Sequence, residues 1–217
     1  MSTDPYTLRQ EIANSVTHGI GTALSVAGLT LLVVLASMRG SALHVVSVAV
    51  YGTTLVLLYL ASTLYHAIQH DGAKRILKIL DHVAIFLLIA GTYTPFTLIS
   101  LRGPWGWSLF GTVWGLATIG IIFKLFFTGR YKRLSTAVYL LMGWIIAVAL
   151  RPLAMALPTR GLILLFLGGL AYSVGVIFYV QKERAYSHAV WHLFVILGSL
   201  CHFFSVLFYV LPRPPAG

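Results

Sequence analysis

The chemistry-bearing stretch of this chain is Tyr186 to Phe194, which carries His188 and His192. On a helix, a spacing of i and i+4 puts both imidazoles on one face, one turn apart. Two neutral rings so placed can grip one metal ion. The pair opens a long apolar run, where polar rings at the edge of hydrocarbon are costly unless something uses them. Further polar groups gather at the starts or ends of other apolar runs. Glu11, Asn14 and His18 fall at i, i+3 and i+7; Ser62 and His66 at i and i+4; Asp81 and His82 are adjacent.

His66, His188 and His192 would supply three nitrogen ligands, and a catalytic zinc site has three protein ligands and one open position. Asp81 would hold the attacking water and take its proton. Zinc brings the pKa of a water to roughly 7. Ser62, one turn before His66, would bind a developing oxyanion or fix a ring. Each residue also has a plainer reading. The histidines could be hydrogen-bonded to lipid headgroups, Asp81 could cap a helix, and Ser62 could bond its own helix. Glu11, Asn14 and His18 would support the site from behind its ligands, or could be an interfacial capping face. His82 points about 100° from Asp81 and reads as outer support or as loop-facing. His44, His70 and His202 read as structural.

The elements that must position these groups are membrane helices. The chain has 217 residues, 59% hydrophobic and 9% charged, with mean hydropathy +0.90; a soluble domain carries about 25% charged residues. Apolar runs near twenty residues recur along the length, as bilayer spans require. The segments are 15–38, 42–68, 79–101, 105–127, 134–150, 161–180 and 188–211. Loops lie at 69–78, 128–133 and 181–187. Pro95 predicts a kink or early end, and Arg151-Pro152 an end, with room for a re-entrant stretch before Gly161. The reading is one all-α seven-helix membrane domain over 1–217, with a polar segment 1–14 and a Pro-rich tail 212–217.

A net charge of +10 in a soluble protein would point to nucleic acid. Here the basic residues lie between apolar runs, so orientation explains them and no nucleic-acid partner is expected. Ten Lys and Arg fall on the N-terminal side and five on the other, which places the N-terminus in the cytoplasm and the C-terminus outside. All the polar groups proposed for the site then share the cytoplasmic depth, leaving only His44 and His202 opposite. The segment 1–14 lacks a cleaved-signal pattern. The single Cys201 lies in an apolar run and reads as packing. The frequent helix glycines, such as Gly21, Gly111, Gly115 and Gly168, read as close-packing positions.

Five motifs in order carry a family resemblance: Glu11-Ile-Ala-Asn-Ser-Val-Thr-His18-Gly, Ser62-Thr-Leu-Tyr-His66, Asp81-His-Val-Ala-Ile, Ala90-Gly-Thr-Tyr-Thr-Pro95 and His188-Ala-Val-Trp-His192. Together they resemble the bacterial hemolysin III family, in the progestin and adipoQ receptor (PAQR) group and related to the alkaline ceramidases. The resemblance implies a multi-pass protein of the inner membrane, with zinc held by His66, His188 and His192 near the cytoplasmic face. Asp81 would orient the zinc water beside Ser62. It implies a hydrolase acting on an amide or ester of a membrane lipid. The alternatives are a membrane-homeostasis sensor with structural zinc, or a haemolytic pore.

Overall fold

The computed structural model describes residues 6–181 and 184–211; the tail 212–217 and residues 1–5 lie outside them. The described residues are helical throughout, without strands. The helices are α1 (Leu8–Arg39), α2 (Ala42–Ala67), α3 (Asp71–Pro95), α4 (Gly103–Phe127), α5 (Lys132–Trp144), α6 (Leu150–Ala156), α7 (Thr159–Val180) and α8 (Ser187–Ser205). They make seven spans long and apolar enough to cross a bilayer, α5 and α6 sharing one. The outer surface suits lipid: Phe126 is 75% and Met155 82% exposed, tolerable only beside hydrocarbon.

α1 starts seven residues earlier than the apolar run predicts. Thr7 caps it, with Gln10 reaching back to the cap backbone, so two otherwise unpaired donors are satisfied. Its buried seam is Glu11, Asn14, His18, Gly21, Ser25, Gly28 and Leu32. That alternation of three and four residues is a close-packing seam. Polar residues lower the hydropathy at its start, yet they face inward.

The expected loop 69–78 is mostly helix. α3 begins at Asp71, and the ring of His70 accepts from the Ala73 amide as its cap. Lys74, Arg75 and Lys78 are therefore helical, and Asp81 sits in the third turn. The reading of Asp81 as a helix cap is thereby overturned. Pro95 does end α3; a wider π turn, Phe96–Leu101, completes the span.

Arg151-Pro152 does not end the fifth span. A 3-10 turn over Ile145–Ala149 follows α5, and the chain continues as α6. Pro152 lies in the first turn of α6, where its missing N–H costs little. The break itself is held by Tyr93. Its hydroxyl accepts from the Ile146 amide at 2.9 Å and lies 2.9 Å from the Met142 and Gly143 carbonyls. A side chain inserted into the ladder accounts for such a break. Only Leu157 and Pro158 separate α6 from α7, leaving little room for a re-entrant loop.

α1 packs along α2 and α8, α2 along α3, α3 along α4, and α7 along α8. Close approaches fall at glycines: a Cβ on Gly21 would stand 2.5 Å from the Tyr59 ring, and one on Gly91 would strike Thr54. Gly111 and Gly115 differ from expectation, since both face open space. α5 touches α3 and α7 only lightly. A cavity remains inside the bundle between α3, α5, α7 and α8, reaching from Asp81 and His18 to Leu165 and His202.

Candidate metal centre

Three elements build the centre: the start of α1, the end of α2 and the start of α8. α8 begins after Tyr186, a non-glycine residue at φ 61°, where left-handed backbone is costly and needs outside support. Ser187 supplies some of it, its hydroxyl donating to the Gln181 carbonyl at 2.7 Å. His188 and His192 follow within the first two turns.

One ring nitrogen each from His66, His188 and His192 lies within 4.8 Å of the others. A tetrahedral zinc with nitrogens at about 2.0–2.1 Å separates them by roughly 3.4 Å, so small rotations close the set. His66 and His192 are buried; His188 is half-buried. The group could hold a metal ion.

The outer nitrogens of two rings are already engaged. His66 Nδ1 meets the Glu11 carboxylate, whose other oxygen accepts from Lys74 Nζ. His192 Nδ1 donates to the Asn14 carbonyl at 3.2 Å. A carbonyl only accepts, so this ring carries its proton on Nδ1; beside a carboxylate the same follows for His66. In both rings Nε2 then presents a lone pair, and both Nε2 atoms are buried without a hydrogen-bond partner. A buried unpaired acceptor is costly. Ligating histidines have this arrangement, with the far N–H held by a carboxylate or a carbonyl.

Glu11 is thus placed behind His66, while Asn14 contributes a backbone carbonyl behind His192. His18 stacks on His192 with ring centroids 3.5 Å apart and planes 14° apart. It meets the Tyr59 ring edge-on at 5.0 Å. Both His18 nitrogens, both Asn14 amide atoms and Ser62 Oγ are buried and lack partners. Ser62 differs in this from its neighbour Thr63, which donates to the Tyr59 carbonyl at 2.7 Å. Glu11 meets His66 and His18 meets Tyr59, so Asn14 stands at the level of Thr63, next to Ser62.

Asp81 lies outside the three-nitrogen group. It is buried at 8% exposure and lines the cavity with His18, Tyr179 and Trp191. His82 Nδ1 donates to the Lys78 carbonyl at 2.7 Å and stands 3.6 Å from the Asp81 carboxylate. The hydrogen bond of its ring stays within its own helix, while its carbonyl accepts from the Tyr139 hydroxyl of α5 at 3.1 Å. Lys74 is the participant that sequence reasoning misses, because the apolar pattern places it in a loop. Tyr6, whose ring lies 5.0 Å from that of His188, carries no local signal.

The family described as Haemolysin-III related matches residues 6–203. Hemolysin-3 from Bacillus cereus is 53% identical over 205 residues, which cover 94% of each chain. The Hemolysin-3 homolog from Bacillus subtilis (strain 168) is 51% identical over 209 residues, 96% of this chain and 98% of that one. The monocyte to macrophage differentiation factor of Homo sapiens is 26% identical over 214 residues, 96% of this chain and 87% of its own. All five motifs lie within residues 6–203, and the chain belongs to the Haemolysin-III related family of multi-pass membrane proteins.

Proposed function

We propose that this chain is a zinc-dependent hydrolase of a membrane-lipid amide or ester, working at the cytoplasmic side of the inner membrane. The observation that carries the reading is the pair of buried, unpartnered Nε2 atoms on His66 and His192, with His188 alongside. Three protein donors leave one position open, the pattern of a catalytic site. When bound, such an ion polarises a carbonyl and acidifies a water. Orientation rests on the excess of Lys and Arg on the N-terminal side.

The side chains divide the work. His66, His188 and His192 hold the ion, and Glu11 fixes the ring of His66. Asp81, in the cavity wall, takes a proton from the attacking water as that water adds to the lipid carbonyl. The C–N or C–O bond then breaks, and the same proton leaves on the amine or alcohol. Ser62, with no partner on its own helix, donates to the developing oxyanion. The cavity beyond Asp81 is walled by side chains such as Leu58, Leu88 and Val195, a fit for an acyl chain.

The test is elemental analysis of the purified protein and of His188→Ala, followed by hydrolysis assays on ceramides and other acyl lipids. About one zinc per wild-type chain, lost in His188→Ala, together with zinc-dependent cleavage, is expected. No metal in the wild type after zinc is supplied would sink the reading. Asp81→Ala is expected to keep the metal and lose cleavage.

A further inference from the structure

Tyr6 directly precedes Thr7, the cap of α1. A side chain at that position commonly packs on the fourth residue of its own helix. Here that residue is Glu11, whose carboxylate is engaged by His66 and Lys74. The Tyr6 ring packs instead on the histidine centre, 5.0 Å from the ring of His188 and 6.0 Å from that of His66. Its backbone has little slack, because the next residue is tied into the helix start: the Thr7 amide donates to Gln10 Oε1 at 2.7 Å.

α1 runs past the centre and shows which end Tyr6 covers. Glu11 meets His66, the Asn14 carbonyl meets His192, and His18 stacks on His192. At 1.5 Å per helical residue, Glu11 to His18 spans about 10 Å of depth. Tyr6 precedes them all, so its ring lies at the end of the bundle where α1 begins, and His18 lies on the inner side. That inner side is walled off. His18 lines the cavity while none of the three clustered histidines does, and the His18 ring lies flat on His192 with centroids 3.5 Å apart. Two more cavity-lining rings, Tyr179 and Trp191, pack on His188. His66 is 1% and His192 0% exposed, and His188, against which Tyr6 packs, is the half-buried member of the group.

We propose that Tyr6 is a stopper on the histidine centre: small solutes, a divalent cation among them, reach His66, His188 and His192 from the end where α1 begins, and only when the Tyr6 ring is displaced. Access then runs through a minor open state, and its rate follows the population of that state. Removing the ring contact raises that population and leaves the three donors as they are, so entry and exit accelerate together. For the cation this rests on the metal reading of the centre; the stopper itself needs neither Asp81 nor turnover.

The test is zinc exchange by the purified full chain, wild type against Tyr6→Ala and Tyr6→Phe, followed with a chromophoric chelator. In Tyr6→Ala, release into excess chelator and uptake from buffered zinc are both expected to run about three- to tenfold faster, with equilibrium affinity unchanged. Tyr6→Phe, which keeps the ring, is expected to exchange at the wild-type rates. Unchanged rates in Tyr6→Ala, faster release with unchanged uptake, or a Tyr6→Phe chain as fast as Tyr6→Ala overturns the proposal. Should the wild type bind no zinc, carbethoxylation of His188 by diethyl pyrocarbonate, resolved by mass spectrometry, decides on the metal-free chain. Its rate in Tyr6→Ala is expected to exceed that in wild type and in Tyr6→Phe about three- to tenfold, and equal rates overturn the proposal. Absence of zinc or of hydrolysis leaves the carbethoxylation rates untouched and counts only against the hydrolase reading.

Discussion

At the scale of single residues, Glu11 is the most informative side chain. One carboxylate oxygen engages His66 Nδ1 and the other engages Lys74. A carboxylate behind a ligating imidazole fixes its tautomer and raises its basicity, and losing such a partner costs about 10–100-fold in metal affinity. Glu11→Gln is therefore expected to bind zinc about 10–100-fold more weakly while still binding it, as measured by competition with a chromophoric chelator. Unaltered affinity would show that Glu11 serves packing alone. The grouping of His66, His188 and His192 was legible in the sequence, because i, i+4 spacing puts two rings on one face and the succession of apolar runs brings the third to the same depth. Lys74 was not, since its carboxylate partner lies 63 residues away and no periodicity records such a pairing. The stacking of His18 on His192 was hidden for the same reason.

Among the elements, helix existence and order followed from apolar runs, and the ends did not. α1 and α3 both begin in polar sequence, where hydropathy falls but capping by Thr7 and His70 takes over. The fifth span continues past Pro152 because Tyr93, from another helix, stabilises the break that precedes it. Close contact between α1 and α2 depends on Gly21. Tyr59, which faces it, is anchored through its hydroxyl to Ser199, so the ring cannot swing aside freely. Gly21→Leu is expected to destabilise the protein by about 1–3 kcal/mol through overpacking, read as a lower midpoint of thermal unfolding in detergent. Gly115→Leu, with nothing within 4 Å of its added Cβ, should leave that midpoint near the wild-type value. Equal effects at both positions would argue that helix propensity, and not the contact, is being measured.

For the whole molecule, seven helices among the described residues are long and apolar enough to cross a bilayer, and an odd number of crossings would put the two ends of the chain on opposite sides. With the basic excess on the N-terminal side, a reporter active only outside the cytoplasm should work when fused after Gly217 and fail in the loop near Arg130. The reverse pattern would invert the molecule and move the histidine centre to the outer face. The cavity was not legible in the sequence at all. It arises from the light packing of α5 against α3 and α7, a property of how helices are arranged and not of any one helix.

The division of the histidine centre between α2 and α8 also orders events during synthesis. Chains are made from the N-terminus, so His66 enters the membrane long before His188 and His192 exist. Until the last helix arrives, a nascent chain has Glu11 and His66 but only one of the three ring nitrogens. A metal held by all three rings would therefore be captured only after the last helix is made, and a ribosome-stalled chain ending before Ser187 would carry one of the three.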